Sequence, residues 1–255
     1  MKVAVILRLV PDVVEELVIA DDGRSLAEDE IMYITNELDE HALEQALLLK
    51  ERRGARLTAI GVGGDQARDA LATAVAKGAD EAVYVPLEAQ DRADSHRIGA
   101  HLAGLLRQER FEVLLAGTQS LDELDGSLGG ILASHLGLPY VGGLAAVDTD
   151  PSGSKATVKK EFPGGRLAVL EVSLPAVLGI QAAEQPPRYA AVSRIMQVKK
   201  SLQVKEWKAP VPDVVGVRIT GLAKPEAAGR AEMIPGDAES VAARIARLLQ
   251  ERGLL

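Results

Sequence analysis

Residues 113–130 read VLLAGTQSLDELDGSLGG. The apolar run Val113–Ala116 predicts a short buried strand, and the glycine-rich loop after it leads into a helix predicted over Ile131–Leu136. A strand that passes through glycines into a helix is typical of parallel α/β sheets. Such sheets bind ligands beyond the carboxyl ends of their strands, so this loop is also the first candidate binding site.

Strand and helix alternate in this way through about the first 147 residues. Further strands are predicted at Val3–Arg8, Leu57–Gly61 and Glu81–Val85, and helices at Glu37–Arg53, Asp65–Lys77 and Ser95–Arg110. A hairpin is predicted over Leu17–Ala27, where Asp21-Asp22-Gly23 is a turn signal. We therefore expect an α/β fold in which helices flank a Rossmann-like parallel sheet.

An antiparallel extension is predicted after residue 147. Thr157–Phe162, Arg166–Val172 and Ala176–Ile180 have the composition of consecutive strands. Gly164-Gly165 predicts a tight turn that pairs the first two strands antiparallel.

The last 51 residues have a different composition, with eight prolines or glycines between residues 205 and 236. This composition favours an extended arm. A helix is predicted over Asp237–Arg252, with Asp237 as its N-cap and Val241, Ile245, Leu248 and Leu249 as one apolar stripe. The stripe has two possible partners, the chain's own domain or another subunit. We therefore expect a domain over residues 1–204 and a C-terminal arm over residues 205–255.

Composition excludes several classes of protein. The 255 residues carry a net charge of −8, which argues against a nucleic-acid partner. The sequence has no apolar run that would span a bilayer and no export signal, so we expect a cytoplasmic protein without direct membrane insertion. With no cysteine, disulfides and thiolate metal sites are excluded. The four histidines have no metal-binding spacing, so we expect no metal site and no catalytic residue, and any redox chemistry to belong to a cofactor.

Three glycine-rich or capping segments are candidates for a nucleotide site. The loop Gly117–Gly130 offers small side chains at a helix N-terminus, which suits a phosphate, although an ordinary loop has the same composition. Asn36 is a predicted N-cap whose neighbouring carboxylates would repel a phosphate, so this helix start would contact a base or serve as a cap only. Gly61–Gly64 permits close approach of a ligand or simply forms a tight connection.

A fourth segment, Arg188–Lys200, is basic within an acidic protein and carries apolar residues that look exposed. That combination suits the recognition of an acidic partner surface. A solvated charged helix with one buried side has the same pattern, and both interpretations remain open.

Several segments occur in an order that one known family shares. They are Lys2–Asp12 (KVAVILRLVPD), Asn36–Glu44 (NELDEHALE), Ala76–Asp80 (AKGAD), Val158–Glu161 with Glu171–Val177 (EVSLPAV), and Pro187–Tyr189 followed by Ile195-Met196 and Lys199-Lys200. Through these segments nearly the whole chain resembles the β (small) subunit of electron transfer flavoproteins.

The resemblance implies a heterodimer with a larger α subunit that holds most of the FAD, and an AMP buried in the β subunit. It implies that the arm wraps the α subunit and that a loop near residues 184–200 docks acyl-CoA and related flavin dehydrogenases of fatty acid oxidation. Electrons would then pass to an electron transfer flavoprotein–quinone oxidoreductase.

The same resemblance assigns site residues by position. The cofactor-binding residues would be Ile6, Asn36, Glu37, Leu38, Asp39, Val62, Gly63, Gly117, Thr118, Gln119, Ser120, Leu121, Asp122, Glu123, Leu124, Asp125, Gly126, Ser127 and Leu128. The residues of partner recognition would be Arg188, Tyr189, Val192 as an apolar anchor, Ile195 and Met196, together with Glu161, which would contact the α subunit.

The loop Asp122–Leu128 departs from the family's patterns. It reads DELDGSL, whereas AMP-binding members usually carry Asp-Asp-x-x-Asn-Gln-Thr and electron-bifurcating members carry Asp-Gly-Asp-Thr-x-Gln-Val. Two alternatives to the carrier with AMP therefore stay open. One is a bifurcating or nitrogen-fixation-type flavoprotein, an enzyme with a second FAD in the β site, and the other is a free-standing adenine-nucleotide-binding module.

Overall fold

The computed structural model describes residues 1–88, 94–214, 216–225 and 231–255. The chain divides into two compact units, Met1–Gly221 and Leu222–Leu255. Within the described ranges, no helix is both long enough and apolar enough to cross a membrane.

The first unit contains one sheet and five α-helices among its described residues. Its strands are β1 (Lys2–Pro11), β2 (Tyr33–Thr35), β3 (Arg56–Gly63), β4 (Glu81–Pro86), β5 (Val113–Gly117), β6 (Tyr140–Thr149), β7 (Lys155–Phe162), β8 (Arg166–Ser173), β9 (Ala176–Ile180) and β10 (Lys205–Glu206). Its helices are α1 (Glu37–Arg53), α2 (Ala67–Lys77), α3 (Ser95–Glu109), α4 (Leu128–Leu136) and α5 (Val192–Ser201), with a short 3-10 helix at Glu28–Glu30. The second unit contains α6 (Ala238–Glu251).

The sheet has the order β10-β4-β3-β1-β5-β9-β6-β7-β8, and β2 pairs with the end of β1. Pairing is parallel from β10 to β6 and antiparallel from β6 through β8. One apolar cluster lies on the face covered by α1 and α2, and a second lies on the face covered by α3 and α4. The predicted fold is therefore confirmed: a Rossmann-like parallel sheet, covered on both faces, with an antiparallel extension.

Most predicted elements occur within a few residues of their expected bounds, and α1 has the predicted ones. The predicted hairpin over residues 17–27 is reduced to one antiparallel bridge between Ile19 and Leu26. The strand β9 does not follow β8 in space, because it lies between β5 and β6 and pairs parallel with both. All five of its residues are buried, which suits a central strand covered on both faces.

The hairpin β7–β8 forms the end of the sheet opposite β10. Gly164 and Gly165 turn it, both with positive φ, as predicted. Its outer strand, β8, leaves Leu167, Val169 and Leu170 exposed. The hairpin therefore presents an apolar surface at an unpaired sheet edge.

The helix α6 begins as the sequence predicts. The Asp237 carboxylate accepts a hydrogen bond from the backbone N–H of Ser240 at 2.9 Å, which confirms Asp237 as the N-cap. None of the helix's residues is buried, and Ile245 in its apolar stripe is 45% exposed.

The glycines that end β3 are explained by packing and backbone geometry. A Cβ at Gly61 would lie 2.8 Å from Leu71 Cγ and 3.1 Å from the carbonyl oxygen of Ala67, so α2 packs directly on this strand. Gly63 has φ +141°, a conformation that favours glycine. At Gly64 the nearest atom to an added Cβ is 3.8 Å away.

This difference predicts the cost of two matched substitutions. Gly61→Ala should lower the free energy of unfolding by about 1–3 kcal/mol, because the new methyl group overpacks the contact with α2. Gly64→Ala should change it by less than about 0.5 kcal/mol. Denaturant unfolding of the full chain measures both, and equal stabilities of the two variants would contradict the packing argument.

Candidate functional site

The loop after β5 meets the carboxyl ends of β1 and β3, as the sequence predicts for a ligand site. The small cleft between them is lined by Arg8, Leu9, Val62, Ile98, Ser120, Asp122 and Glu123. Val62, Ser120, Asp122 and Glu123 were predicted site residues, whereas Arg8, Leu9 and Ile98 were not. The one available signal for Arg8 was a charged residue within a run of apolar ones, since such a residue needs a buried partner.

That partner is Asp39, in the first turn of α1. Arg8 donates from Nε to Asp39 Oδ2 and from Nη2 to Asp39 Oδ1, at 3.0 Å each. The carboxylate also accepts the backbone N–H groups of Arg8 at 2.9 Å and of Gly117 at 2.7 Å. The two side chains are 6% and 0% exposed. Burial works against the charge on Arg8, but the attraction of Asp39 outweighs it and raises the Arg8 pKa above its ordinary value.

The Arg8–Asp39 pair also holds the base of the loop after β5. Arg8 Nη2 donates to the carbonyl oxygens of Gly117 and Gln119 at 3.3 Å each. The side-chain amide of Asn36 also donates to Gln119 O, at 2.9 Å. Asn36 occupies the N-cap position of α1, as predicted, but its side chain makes no capping bond, and its amide holds the loop instead.

Gly117 has to be a glycine, because α1 lies against it. A Cβ there would lie 2.6 Å from Asp39 Oδ1 and 2.6 Å from the carbonyl carbon of Leu38. The other predicted contacts on this side are Ile6, fully buried in β1, and Glu37, exposed at the start of α1. The predicted site residues of β1, α1 and the loop therefore lie close together, but most of their contacts are with one another.

Above its base, the loop after β5 forms hydrogen bonds between its own residues. Gln119 Nε2 donates to the carbonyl oxygen of Leu124. The Asp125 carboxylate accepts from the backbone N–H of Ser127 at 3.1 Å and from Ser127 Oγ at 2.8 Å. A carboxylate therefore lies at the start of α4, at the helix end where a phosphate was expected.

Glu123 extends from the loop to α3. Its carboxylate accepts a hydrogen bond from Ser95 Oγ, and its Oε1 is buried without a partner among the described residues. Burial raises the pKa of Glu123, Arg8 opposes that shift, and the nearby Asp122 and Asp125 reinforce it.

The helix α3 begins beside the Glu123 carboxylate. Asp94 is 3% exposed and caps α3 by accepting the His96 N–H at 2.9 Å. Its Oδ2 is a second buried carboxylate oxygen without a partner in the described part of the chain. Asp94 is not among the residues that line the cleft, so this carboxylate belongs to the start of α3.

An adenine nucleotide does not fit this cleft. The cavity measures about 10 Å³, room for about one water molecule, whereas ligand pockets begin at roughly 300 Å³. Two of the lining residues have a partnerless buried oxygen: Ser120 has a hydroxyl, and Glu123 has a carboxylate oxygen, which repels a phosphate when ionised. Arg8, the basic residue in the lining, is already paired with Asp39.

A second candidate surface lies on α5 and the loop before it. Tyr189 is fully exposed, Val192 is 75% exposed and Met196 is 50% exposed. Ile195 is half-buried, on the side of α5 that packs against α2. Lys199 Nζ lies 2.6 Å from Asp69 Oδ1 of α2, in a partly exposed ion pair near the end of the helix. We call Tyr189, Val192 and Met196 the exposed apolar face.

Arg188 anchors this segment to α1. Its backbone N–H donates to Glu44 Oε2 at 2.9 Å, and Nη2 donates to Glu44 Oε1 at 2.8 Å. Nη1 donates to Glu51 Oε1 at 2.5 Å. Hydrogen bonds to Glu44, then to Glu51, raise the Arg188 pKa above its ordinary value. Arg188, predicted as a recognition residue, therefore uses its guanidinium inside the chain.

Glu161 lies on β7, apart from both sites, and its side chain is exposed. No group of three or more His, Cys, Asp or Glu in the described ranges is arranged to hold a metal ion.

Comparison with known proteins assigns the family. A model described as the electron transfer flavoprotein domain matches residues 24–212. The chain belongs to the electron transfer flavoprotein family. The electron transfer flavoprotein subunit beta of Methylophilus methylotrophus is 32% identical to it over 98% of both chains. The subunit beta of Clostridium acetobutylicum is 31% identical over 98% of both chains, and that of Bacillus subtilis is 30% identical over 73% of this chain and 71% of its own.

The resemblance to β subunits of this family is thereby confirmed, and with it a role in electron transport as part of a flavoprotein.

The buried pair predicts a large effect of one substitution. Asp39→Ala should lower the free energy of unfolding by about 3–5 kcal/mol, because Arg8 is left charged and buried without a counterion. Glu37→Gln, two residues away and exposed, is the control and should change it by less than about 0.5 kcal/mol. Denaturant unfolding is the measurement. If both variants lost the same small amount of unfolding free energy, a central role for the Arg8–Asp39 pair would be contradicted.

The raised pKa of Glu123 predicts a pH dependence. A carboxyl group that binds its proton more tightly in the folded state favours folding at low pH, and this contribution is lost as the pH rises through the folded-state pKa. Glu123→Gln keeps an acceptor for Ser95 and does not ionise. Its stability relative to wild type should therefore increase as the pH rises above 4.5, the ordinary value for this group. Thermal unfolding of both proteins at several pH values measures this difference in stability. A difference that stays constant or decreases as the pH rises would contradict the prediction.

Proposed function

We propose that this chain is the β subunit of a heterodimeric electron transfer flavoprotein, in which a larger α subunit holds most of the FAD. The heterodimer carries electrons from flavin dehydrogenases of the acyl-CoA type to a membrane quinone oxidoreductase. The β subunit itself is a non-catalytic partner in this carrier. The names of its relatives, subunit beta in each case, support the assignment.

The observation that carries the docking role is the exposed apolar face at the start of α5. Isolated apolar residues are common on surfaces, but here three exposed ones lie within eight residues, and Val192 and Met196 share one face of the helix by their spacing of four. The Arg188–Glu44 bonds and the Lys199–Asp69 pair hold both ends of that segment. A preformed apolar anchor loses little conformational entropy on binding, which suits a transient partner.

The C-terminal unit is proposed to bind the α subunit. The described residues between 207 and 237 form no helix or strand, and α6 has no buried residue. A helix with one apolar stripe and no burial needs a surface to pack on. Glu161, exposed on β7, is proposed as a further contact with the α subunit.

Flavin supplies the electron-transfer chemistry when it is bound. Our proposal includes neither the AMP that the resemblance implies for the β site nor the second FAD of the bifurcating alternative, since the cleft is small and acidic. What the β subunit contributes in our proposal is a docking surface and a surface for the α subunit.

The experiment is co-expression with the α subunit, followed by native mass spectrometry of the purified assembly. A one-to-one heterodimer with one FAD is the expected result. The same measurement on a chain shortened by residues 222–255 should show the β chain alone, with unchanged circular dichroism of its sheet domain. Two FAD molecules per heterodimer would support the bifurcating enzyme, and a chain that never binds the α subunit would support the free-standing module.

The exposed apolar face predicts the effect of one added charge. Val192→Glu should lower the rate of electron transfer from an acyl-CoA dehydrogenase by tenfold or more, since burying the carboxylate at the interface costs at least about 1.4 kcal/mol. The control is Gln197→Glu, which adds the same charge to an exposed polar position of α5. Stopped-flow reduction of the heterodimer measures the rate, and FAD content verifies assembly. Equal rates in the two variants would contradict docking through Val192.

A further inference from the structure

The nucleotide cleft of this chain is closed by the chain's own side chains. The cleft has a volume of only about 10 Å³, because the Glu123 side chain extends across it from the loop to α3. The carboxylate ends on Ser95 Oγ, in the first turn of α3. Ile98, one turn further along the same helix, lines the cleft from that side.

The helix start at which a phosphate was expected already has a carboxylate beside it. A helix start binds phosphate through free backbone N–H groups and the positive end of its dipole. At α4 the Asp125 carboxylate accepts the N–H of Ser127, the N-cap residue, so a negative charge already interacts with this helix start. A phosphate would be repelled by this charge and would face Asp122 and Glu123 in the cleft as well.

The base of the loop is held in place. Gln119 O accepts hydrogen bonds from both Arg8 and Asn36, and Gly117 N–H donates to Asp39. A loop held at its base by buried groups does not swing away as a unit at little cost. To open the cleft, Glu123 itself would have to leave Ser95.

We propose that this β subunit folds and pairs with its α subunit without an adenine nucleotide, because Glu123 fills the cleft and Asp125 places a negative charge at the helix start that a phosphate needs. The loop of this chain then supplies from its own side chains the packing that a bound nucleotide would provide. The part of the proposal that concerns pairing rests on the function proposed above, whereas the exclusion of the nucleotide does not.

The first test is the nucleotide content of the protein as purified. Perchloric acid extracts of the full chain, and of its heterodimer with the α subunit, are analysed for AMP by liquid chromatography and mass spectrometry. Less than about 0.1 AMP per β chain is expected, since a closed cleft retains no ligand. About one AMP per β chain in either preparation would overturn the proposal.

The second test is a pair of variants designed to open the cleft. Glu123→Ala with Asp125→Asn removes the filling side chain and the charge at α4, and AMP should bind to this variant at least tenfold more tightly than to wild type. Asp122→Asn removes an equally close but exposed carboxylate, leaves Glu123 in place, and should bring no such gain. Isothermal titration calorimetry with AMP measures all three proteins, and circular dichroism verifies their folding.

The outcomes separate this proposal from the proposed function. A double variant that is folded but gains no affinity for AMP would overturn the role given to Glu123 and Asp125. A wild-type chain that lacks AMP and also fails to bind the α subunit would leave the exclusion of the nucleotide standing and overturn the heterodimer.

Discussion

The buried pair of Arg8 and Asp39 is the interaction on which the rest of the structure depends. Two charges are removed from water at the carboxyl end of the sheet, and this costs free energy unless every remaining donor and acceptor is matched. Here Asp39 accepts from the Arg8 guanidinium and from two backbone N–H groups, while Arg8 also reaches two carbonyl oxygens of the loop after β5. One pair thus fixes β1, β5, the start of α1 and the base of the loop together.

The helix α1 connects this arrangement to the segment before α5. Its first turn carries Asp39, and the next turns carry Glu44 and Glu51, which bind Arg188. The segment before α5 is therefore positioned by the same helix whose first turn carries Asp39. The position of the exposed apolar face relative to α1 depends on the bonds between Arg188 and the buried Glu44 as well as on apolar contacts, and charge-assisted hydrogen bonds impose stricter geometry than apolar packing does.

Local patterns in the sequence predicted the first half of the fold well. The bounds of α1 follow from its apolar period and from Gly54, whose φ of +64° ends the helix. The strand β6 was missed because Gly142 and Gly143 interrupt it, and its pairing shifts register around them. Glycines and a helix start suggest a phosphate, but the contacts that the loop makes were not predicted. The Asp125–Ser127 bonds join residues two positions apart, so local spacing could have indicated them. The bond between Ser95 and Glu123 joins residues 28 positions apart, which no local spacing encodes.

The unpaired edge at β8 has a consequence for the cell. Among the described residues no strand pairs with the outer edge of β8, where Leu167, Val169 and Leu170 are exposed. Such an edge is a template for pairing with another copy of the chain. Any partner that covers the hairpin would therefore also protect the chain from aggregation.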